Sequence, residues 1–206
     1  MAIPYVTFMK HAEKVTKTAS ASRPILKGVF HSDDGSLIVT DSHRIYFAKN
    51  AHTNGAESVI DPKTGANIDG NYPDCSRLIP DKSNVKYSVK VPVKESLDAF
   101  TALLKASQIN GKGSELVFTE EAEYGTMKFS VDNSPMEASY NAGRVNGSFE
   151  KVTFNLTFIV DALKLLKDVG AIDTEIRFYG AFRPFTLTTG SDDEILALLL
   201  PIRTSN

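Results

Sequence analysis

The amino-acid sequence predicts an α+β protein made of three copies of one β-α-β-β-β unit. Three observations predict it: three segments with apolar residues at helical spacing, a short β-like run leading into each, and short β-rich runs parted by turn residues after each. One such unit is a small sheet with a helix on one face. It needs a second sheet to close its core and cover its edges, so repetition dictates the architecture.

The first helix is expected over Thr7–Ala19, with Phe8, Ala12, Val15 and Ala19 on one side and Ile3–Val6 as its lead. Behind it come Ile25–His31, Leu37–Thr40 and Ile45–Ala48, with Asp33-Asp34-Gly35-Ser36 as a hairpin turn. The second helix is expected over Lys94–Ser107, carrying Leu97, Phe100, Leu103 and Leu104 after the alternating run Tyr87–Val91. Glu115–Thr119, Thr126–Val131 and Met136–Asn141 follow, turned by Tyr124-Gly125 and by Asn133-Ser134-Pro135. The third is expected over Thr157–Val169, carrying Ile159, Ala162, Leu163 and Leu166 after Val152–Asn155. Glu175–Tyr179, Phe185–Thr188 and Leu196–Ile202 complete it, parted by Gly180 and by Gly190-Ser191-Asp192-Asp193.

Only the loop near Arg144–Phe149 separates copies two and three, so they pair into one complete domain, expected over residues 85–206. Copy one fills residues 1–50 of a first domain, residues 1–80. Asn50 to Asn84, rich in Gly, Asn, Asp and Pro, reads as a long connection with Val59-Ile60 as its strand-like patch. Copy one is therefore half a domain that needs a partner.

Composition narrows the function classes. The 206 residues carry 23 Lys+Arg against 25 Asp+Glu, a net charge of −2, which excludes a uniformly basic nucleic-acid coat but leaves room for a basic stripe. One cysteine excludes an intrachain disulfide framework and a Cys-rich zinc module, and suits a reducing cytosol. Met1-Ala-Ile-Pro-Tyr-Val lacks a signal-peptide layout, and no apolar run approaches the ~20 residues that span a bilayer, so the chain is read as cytoplasmic with no membrane partner.

Nothing in the residue pattern looks catalytic, and neither a metal nor a cofactor is expected. The histidines, His11, His31, His43 and His52, have no metal-ligand spacing. Asp41-Ser42-His43 holds the residue types of a hydrolase triad, but such triads assemble from residues apart in sequence, and consecutive residues on a strand alternate in direction. Gly111-Lys112-Gly113-Ser114 lacks the phosphate-loop spacing, Asp33-Asp34-Gly35 lacks the downstream ligands of a calcium loop, and Cys75 has no evident activating partner.

Lysines on the helices are more informative. Lys10, Lys14 and Lys17 fall on one face of the first helix, opposite Phe8, Ala12 and Val15; Lys94 and Lys105 lie on the second and Lys164 and Lys167 on the third. A solvated face accounts for such residues; the sharper reading is a surface that meets phosphates without reading bases. Asp98, Asp161 and Asp168 dilute it, so attraction to duplex DNA is expected to be weak and salt-dependent. The second constellation is the apolar C-terminal run Ala197-Leu-Leu-Leu-Pro-Ile-Arg203, a buried final strand whose ladder stops near Pro201.

Four motifs then resemble the bacterial DNA polymerase III β-subunit (sliding clamp) family. They are Arg23–Val29 followed by Leu37-Ile-Val-Thr-Asp-Ser-His-Arg-Ile45; Tyr72-Pro-Asp-Cys-Ser-Arg-Leu-Ile-Pro80; the segment from Phe154 to Leu165; and Leu198-Leu-Leu-Pro-Ile-Arg203. The resemblance implies a DNA-clamp fold and a non-enzymatic processivity factor that encircles duplex DNA with its helices facing the hole. It also implies a hydrophobic pocket for client peptides of polymerases and other clamp-motif proteins. The matching pocket positions are Leu26, Thr40, His43, Arg44 and Ile45; Pro73, Arg77 and Leu78; and Asn155, Phe158, Pro184, Leu198, Leu199, Leu200, Pro201, Ile202 and Arg203.

Set against the family pattern, the chain is expected to have no counterpart of the first domain and only half of the middle one. The resemblance thus implies a truncated clamp that looks more like a phage or mobile-element version. Self-pairing of residues 1–50 about a two-fold axis would complete the half-domain and make a homo-oligomer. A monomeric adaptor or decoy that never encircles DNA is the alternative.

Overall fold

The computed structural model describes residues 3–109, 116–122, 125–133, 136–190 and 192–203. The chain divides into two compact units: Met1–Ile79 with Thr188–Leu198, and Pro80–Leu187 with Leu199–Asn206.

The first unit opens with helix α1 (Tyr5–Thr18). It buries Phe8, Met9, His11, Ala12, Val15 and Thr16 and turns Lys10 and Lys17 outward, with Lys14 half-buried. The expected strand Ile3–Val6 is absent. Pro4 caps the helix instead, and its carbonyl takes the amides of Thr7 and Phe8, so the helix starts where the missing proline N–H costs nothing. A second correction concerns Ile25–His31. Pro24–Lys27 is a 3-10 turn with proline at its start, and only β1 (Val29–His31) is strand.

Strands β2 (Leu37–Thr40) and β3 (Arg44–Ala48) follow, antiparallel in turn, and α1 packs on all three. The β1–β2 turn is the expected one: Gly35 sits at φ +84° and Asp34 accepts the Ser36 amide at 2.8 Å. The connection is more ordered than a loop reading suggests. β4 (Ser58–Ile60) pairs with β1, and the Asp61 carboxylate accepts the amides of Lys63 and Thr64 to turn the chain back, so that the Ile68 amide reaches the Val59 carbonyl. Next to β3 lies β13 (Ile195–Leu199), so the strand order in this unit is β4-β1-β2-β3-β13.

The second unit takes up the chain from Pro80 to Leu187 and again from Leu199. β5 (Tyr87–Pro92) leads into α2 (Val93–Ser107), followed by β6 (Leu116–Ala122), β7 (Thr126–Asn133) and β8 (Met136–Arg144). β10 (Thr153–Asn155) leads into α3 (Leu156–Asp168), followed by β11 (Asp173–Phe178) and β12 (Phe185–Thr189), whose last two residues count with the first unit. The Arg144–Phe149 loop contains a further short strand, β9 (Asn146–Gly147), paired with β5.

The strand orders here are β10-β6-β7-β8 and β12-β11-β5-β9, and α2 packs against α3. The core is a run of rings: Tyr87 stacks on Phe178 (4.7 Å), Phe178 on Phe185 (5.2 Å), and Phe154 joins Phe185 (4.7 Å) to Phe129 and Phe100. The last strand stops at Leu199, short of the expected Ile202. Pro201 has no N–H for the ladder, and the chain leaves it with the Ile202 amide on the Thr153 carbonyl at 2.7 Å. Gly111–Ser114, Tyr124, Ser134 and Pro135 lie outside the described residues.

Candidate functional site

In the first unit, the segment from Thr40 to Ile45 is built around one buried carboxylate. Asp41 accepts the amides of His43 and Arg44 through Oδ1, each at 3.0 Å, and Thr18 Oγ1 (2.6 Å) and Arg44 Nε (3.0 Å) through Oδ2. The side chains of Asp41 and Arg44 are 0% and 2% exposed, so this is a desolvated ion pair held by additional hydrogen bonds. Thr40 Oγ1 donates to the Arg44 carbonyl and accepts the Ser42 amide, which places Ser42 at φ +75° on the turn with His43 beside it, both exposed. With Asp41 committed to Arg44, Thr18 and two amides, the Asp41-Ser42-His43 sequence is a turn and not an assembled triad.

Ile45 emerges from that turn into an apolar cluster with Ile38, Cys75, Leu196 and Leu198, flanked by Phe30, Phe47, Tyr72 and Ile79. Tyr72 ties the connection to the sheet, stacking on Phe30 at 5.5 Å and accepting the Thr40 amide at 3.1 Å; burial pushes its phenol above the usual range. Burial also pushes the Cys75 thiol up to about 11, so this cysteine is a core residue and not a nucleophile.

Two of the predicted pocket residues, Ile45 and Leu198, meet in this cluster, and Thr40 joins it through Tyr72. Leu26 is buried at 1% exposure, whereas Pro73, Arg77 and Leu78 are exposed; Arg77 pairs with Asp74 at 2.7 Å. In the second unit, Asn155 is the N-cap of α3 and accepts the Thr157 amide at 2.8 Å. Phe158, Pro184 and Pro201 are half-buried, Leu199 is buried, and Leu200, Ile202 and Arg203 are exposed. Sequence reasoning passed over Tyr72, although it lies in a quoted motif, and read Cys75 only for reactivity.

Of the predicted basic residues, Lys10, Lys17, Lys94, Lys105 and Lys167 are exposed and Lys14 and Lys164 half-buried; Lys17 is paired with Glu13 at 2.8 Å. Among the described residues there is no cluster of three His, Cys, Asp or Glu side chains able to hold a metal, and no helix long and apolar enough to cross a membrane.

No protein-family model matches the chain. It is 30% identical over 149 residues to the β sliding clamp of Staphylococcus aureus (strain Mu50), covering 66% of this chain and 35% of that protein. It is 31% identical over 144 residues to the β sliding clamp of Staphylococcus epidermidis, with the same shares covered. Among solved structures it resembles the DNA polymerase sliding clamp from Bacillus subtilis, with a TM-score of 0.79 and 24% identity over 98% of this chain and 64% of that one. It also resembles the β subunit from DNA polymerase of Streptococcus pyogenes, with a TM-score of 0.78 and 21% identity over 97% and 64%. The expected clamp fold is therefore shown, in a chain that spans about a third of the length of the curated relatives it matches.

Proposed function

For this shorter relative of the bacterial β sliding clamps, we propose a clamp-like role in DNA replication: a cytoplasmic, non-enzymatic processivity factor that holds a polymerase or other client protein and tracks duplex DNA as a homo-oligomer. The observation that carries this reading is the joint likeness in sequence and fold to proteins named DNA polymerase sliding clamps, over nearly the whole chain in the structural comparison.

Client peptides would dock on the apolar residues that match the family motifs. Leu78 in the first unit and Ile202 in the second are each exposed and offer surface an apolar side chain can cover; Pro73, Phe158 and Leu200 are further members of the predicted set. Burying one such anchor contributes ~1.5–3 kcal/mol, enough for micromolar peptide binding when several are covered. Lys10, Lys14 and Lys17, opposite the buried side of α1, supply compact charges for phosphates, as do Lys94, Lys105, Lys164 and Lys167 on α2 and α3.

Retention on nicked circular DNA that is lost on linearisation, together with a light-scattering mass above that of one chain, is the expected result. A strict monomer at tens of micromolar with no retention, but with intact peptide binding, would replace this reading by that of a client-binding adaptor. Leu78→Asp and Ile202→Asp, each at an exposed position, should abolish binding of a clamp-motif peptide with no change in melting temperature. Leu199, at 1% exposure, is the wrong place for that test because a carboxylate there would unfold the chain. Unchanged peptide binding in both exposed variants would remove the site assignment.

A further inference from the structure

On the face of the first unit's sheet that points away from α1, cross-strand pairing sets Val59, Phe30, Ile38 and Phe47 in a row. The direction follows from strand alternation: His31, next to Phe30, meets Tyr5 of α1 on the other face. Ile68, Tyr72 and Pro73 of the connection line the same groove of about 930 Å³, room for several side chains, with Tyr72 stacked on Phe30.

The polar lining has one sign. Asp34, Glu57, Asp69 and Asp74 contribute four carboxylates, and among the described residues no Lys, Arg or His lines the groove. Asp74 is answered by Arg77, whereas Glu57 and Asp69 have no ion-pair partner among the described residues.

We propose that this groove is a second docking surface, for an extended basic peptide with a central aromatic residue: the ring enters over Phe47, beside the Phe30–Tyr72 stack, while flanking Lys or Arg side chains meet Glu57 and Asp69. The apolar row selects a peptide with an anchor over a small polycation, and the carboxylates repel nucleic acid. Of the residues assigned to client binding only Pro73 is shared, so this inference stands apart from that site and does not rest on it. Because the carboxylates are exposed, their attraction is screened by salt and acts on selectivity and encounter rate, while the buried ring holds the complex.

The test is fluorescence anisotropy with the intact protein and labelled Lys-Lys-Ser-Phe-Ser-Lys-Lys. The comparators are Glu-Glu-Ser-Phe-Ser-Glu-Glu and the anchorless Lys-Lys-Ser-Ser-Ser-Lys-Lys. The first peptide should bind saturably and at least about tenfold more tightly than either comparator at low salt, and weaken as salt rises. Glu57→Lys/Asp69→Lys, at two exposed positions, should lose about tenfold or more with an unchanged melting curve, while Leu78→Asp keeps the affinity. Equal binding of the anchorless peptide, no saturation, or indifference to Glu57→Lys/Asp69→Lys would overturn the proposal. So would salt-sensitive self-association that the double variant abolishes while no peptide binds, since the groove would then receive a second copy of this chain.

Discussion

The phenolic oxygen of Tyr72 takes the amide proton of Thr40 at 3.1 Å, so a residue of the long connection satisfies the backbone at the end of β2. Thr40 is buried, and its N–H has little access to water if that partner is lost. Tyr72→Phe keeps the ring stacked on Phe30 and removes only the acceptor. Urea unfolding should show a loss of about 1–3 kcal/mol. A stability equal to that of the parent would mean that the contact is dispensable.

Asp41 and Ser42 are neighbours with opposite expected responses. Asp41→Asn removes the carboxylate charge paired with the buried Arg44 guanidinium and should destabilise by about 3–5 kcal/mol. Ser42, held at φ +75°, is in a conformation that glycine adopts at no steric cost. Ser42→Gly should be neutral or stabilise by up to about 1 kcal/mol. Thermal melts of the two variants check both signs, and a neutral Asp41→Asn would contradict the account of the turn.

His31 supplies a pH dependence. Its ring donates from Nδ1 to the Val29 carbonyl at 3.0 Å, and its Nε2 lies 3.0 Å from the Tyr5 hydroxyl, which donates to it when the imidazole is neutral. Burial chiefly, opposed by the Val29 hydrogen bond and reinforced by nearby His52, holds its pKa below the ordinary value. The unfolded chain therefore binds the proton more readily. Stability from this group is full above the unfolded pKa near 6.5 and is lost as pH falls from there toward the lower folded value. Denaturant midpoints across that window should decline with acidification in the parent and decline less in His31→Gln. A midpoint that rose on acidification would reverse the assignment.

Gly147 sits at φ +113° in β9, where an added Cβ would run into the Lys86 carbonyl oxygen and stand 2.9 Å from the Tyr87 Cα. The β5–β9 pairing leaves no room for either atom to yield. Gly147→Ala should cost at least about 1–3 kcal/mol from backbone conformation alone, with the steric clash adding to it. Calorimetric melting of the variant tests this, and an unshifted transition would refute it.

The helices were legible because each pairs a 3.6-residue apolar period with a readable start. α3 begins one residue before the expected Thr157, directly after its Asn155 cap, and α2 one residue before Lys94, after Pro92. α1 begins two residues early because Pro4 starts a helix as readily as it interrupts a strand. Ile45 and Leu198 were selected through motif resemblance, and nothing local in the chain links residues that far apart. The acidic groove was not legible at all. Its wall depends on side-chain-to-backbone turns at Asp61 and Asp74 that bend a segment with no hydrophobic period.

One consequence of the first unit's make-up concerns the order of synthesis. Ile38, Ile45 and Cys75 share their cluster with Leu196 and Leu198, so this unit is assembled from two stretches of chain with the bulk of the other unit encoded between them. On a ribosome the N-terminal stretch waits, its cluster incomplete, until residues 188–198 have emerged, while residues 80–187 can begin to collapse as soon as they are made. Completion of the first unit, and with it the length of its exposure to chaperones and proteases, is thus timed by translation of residues 80–187.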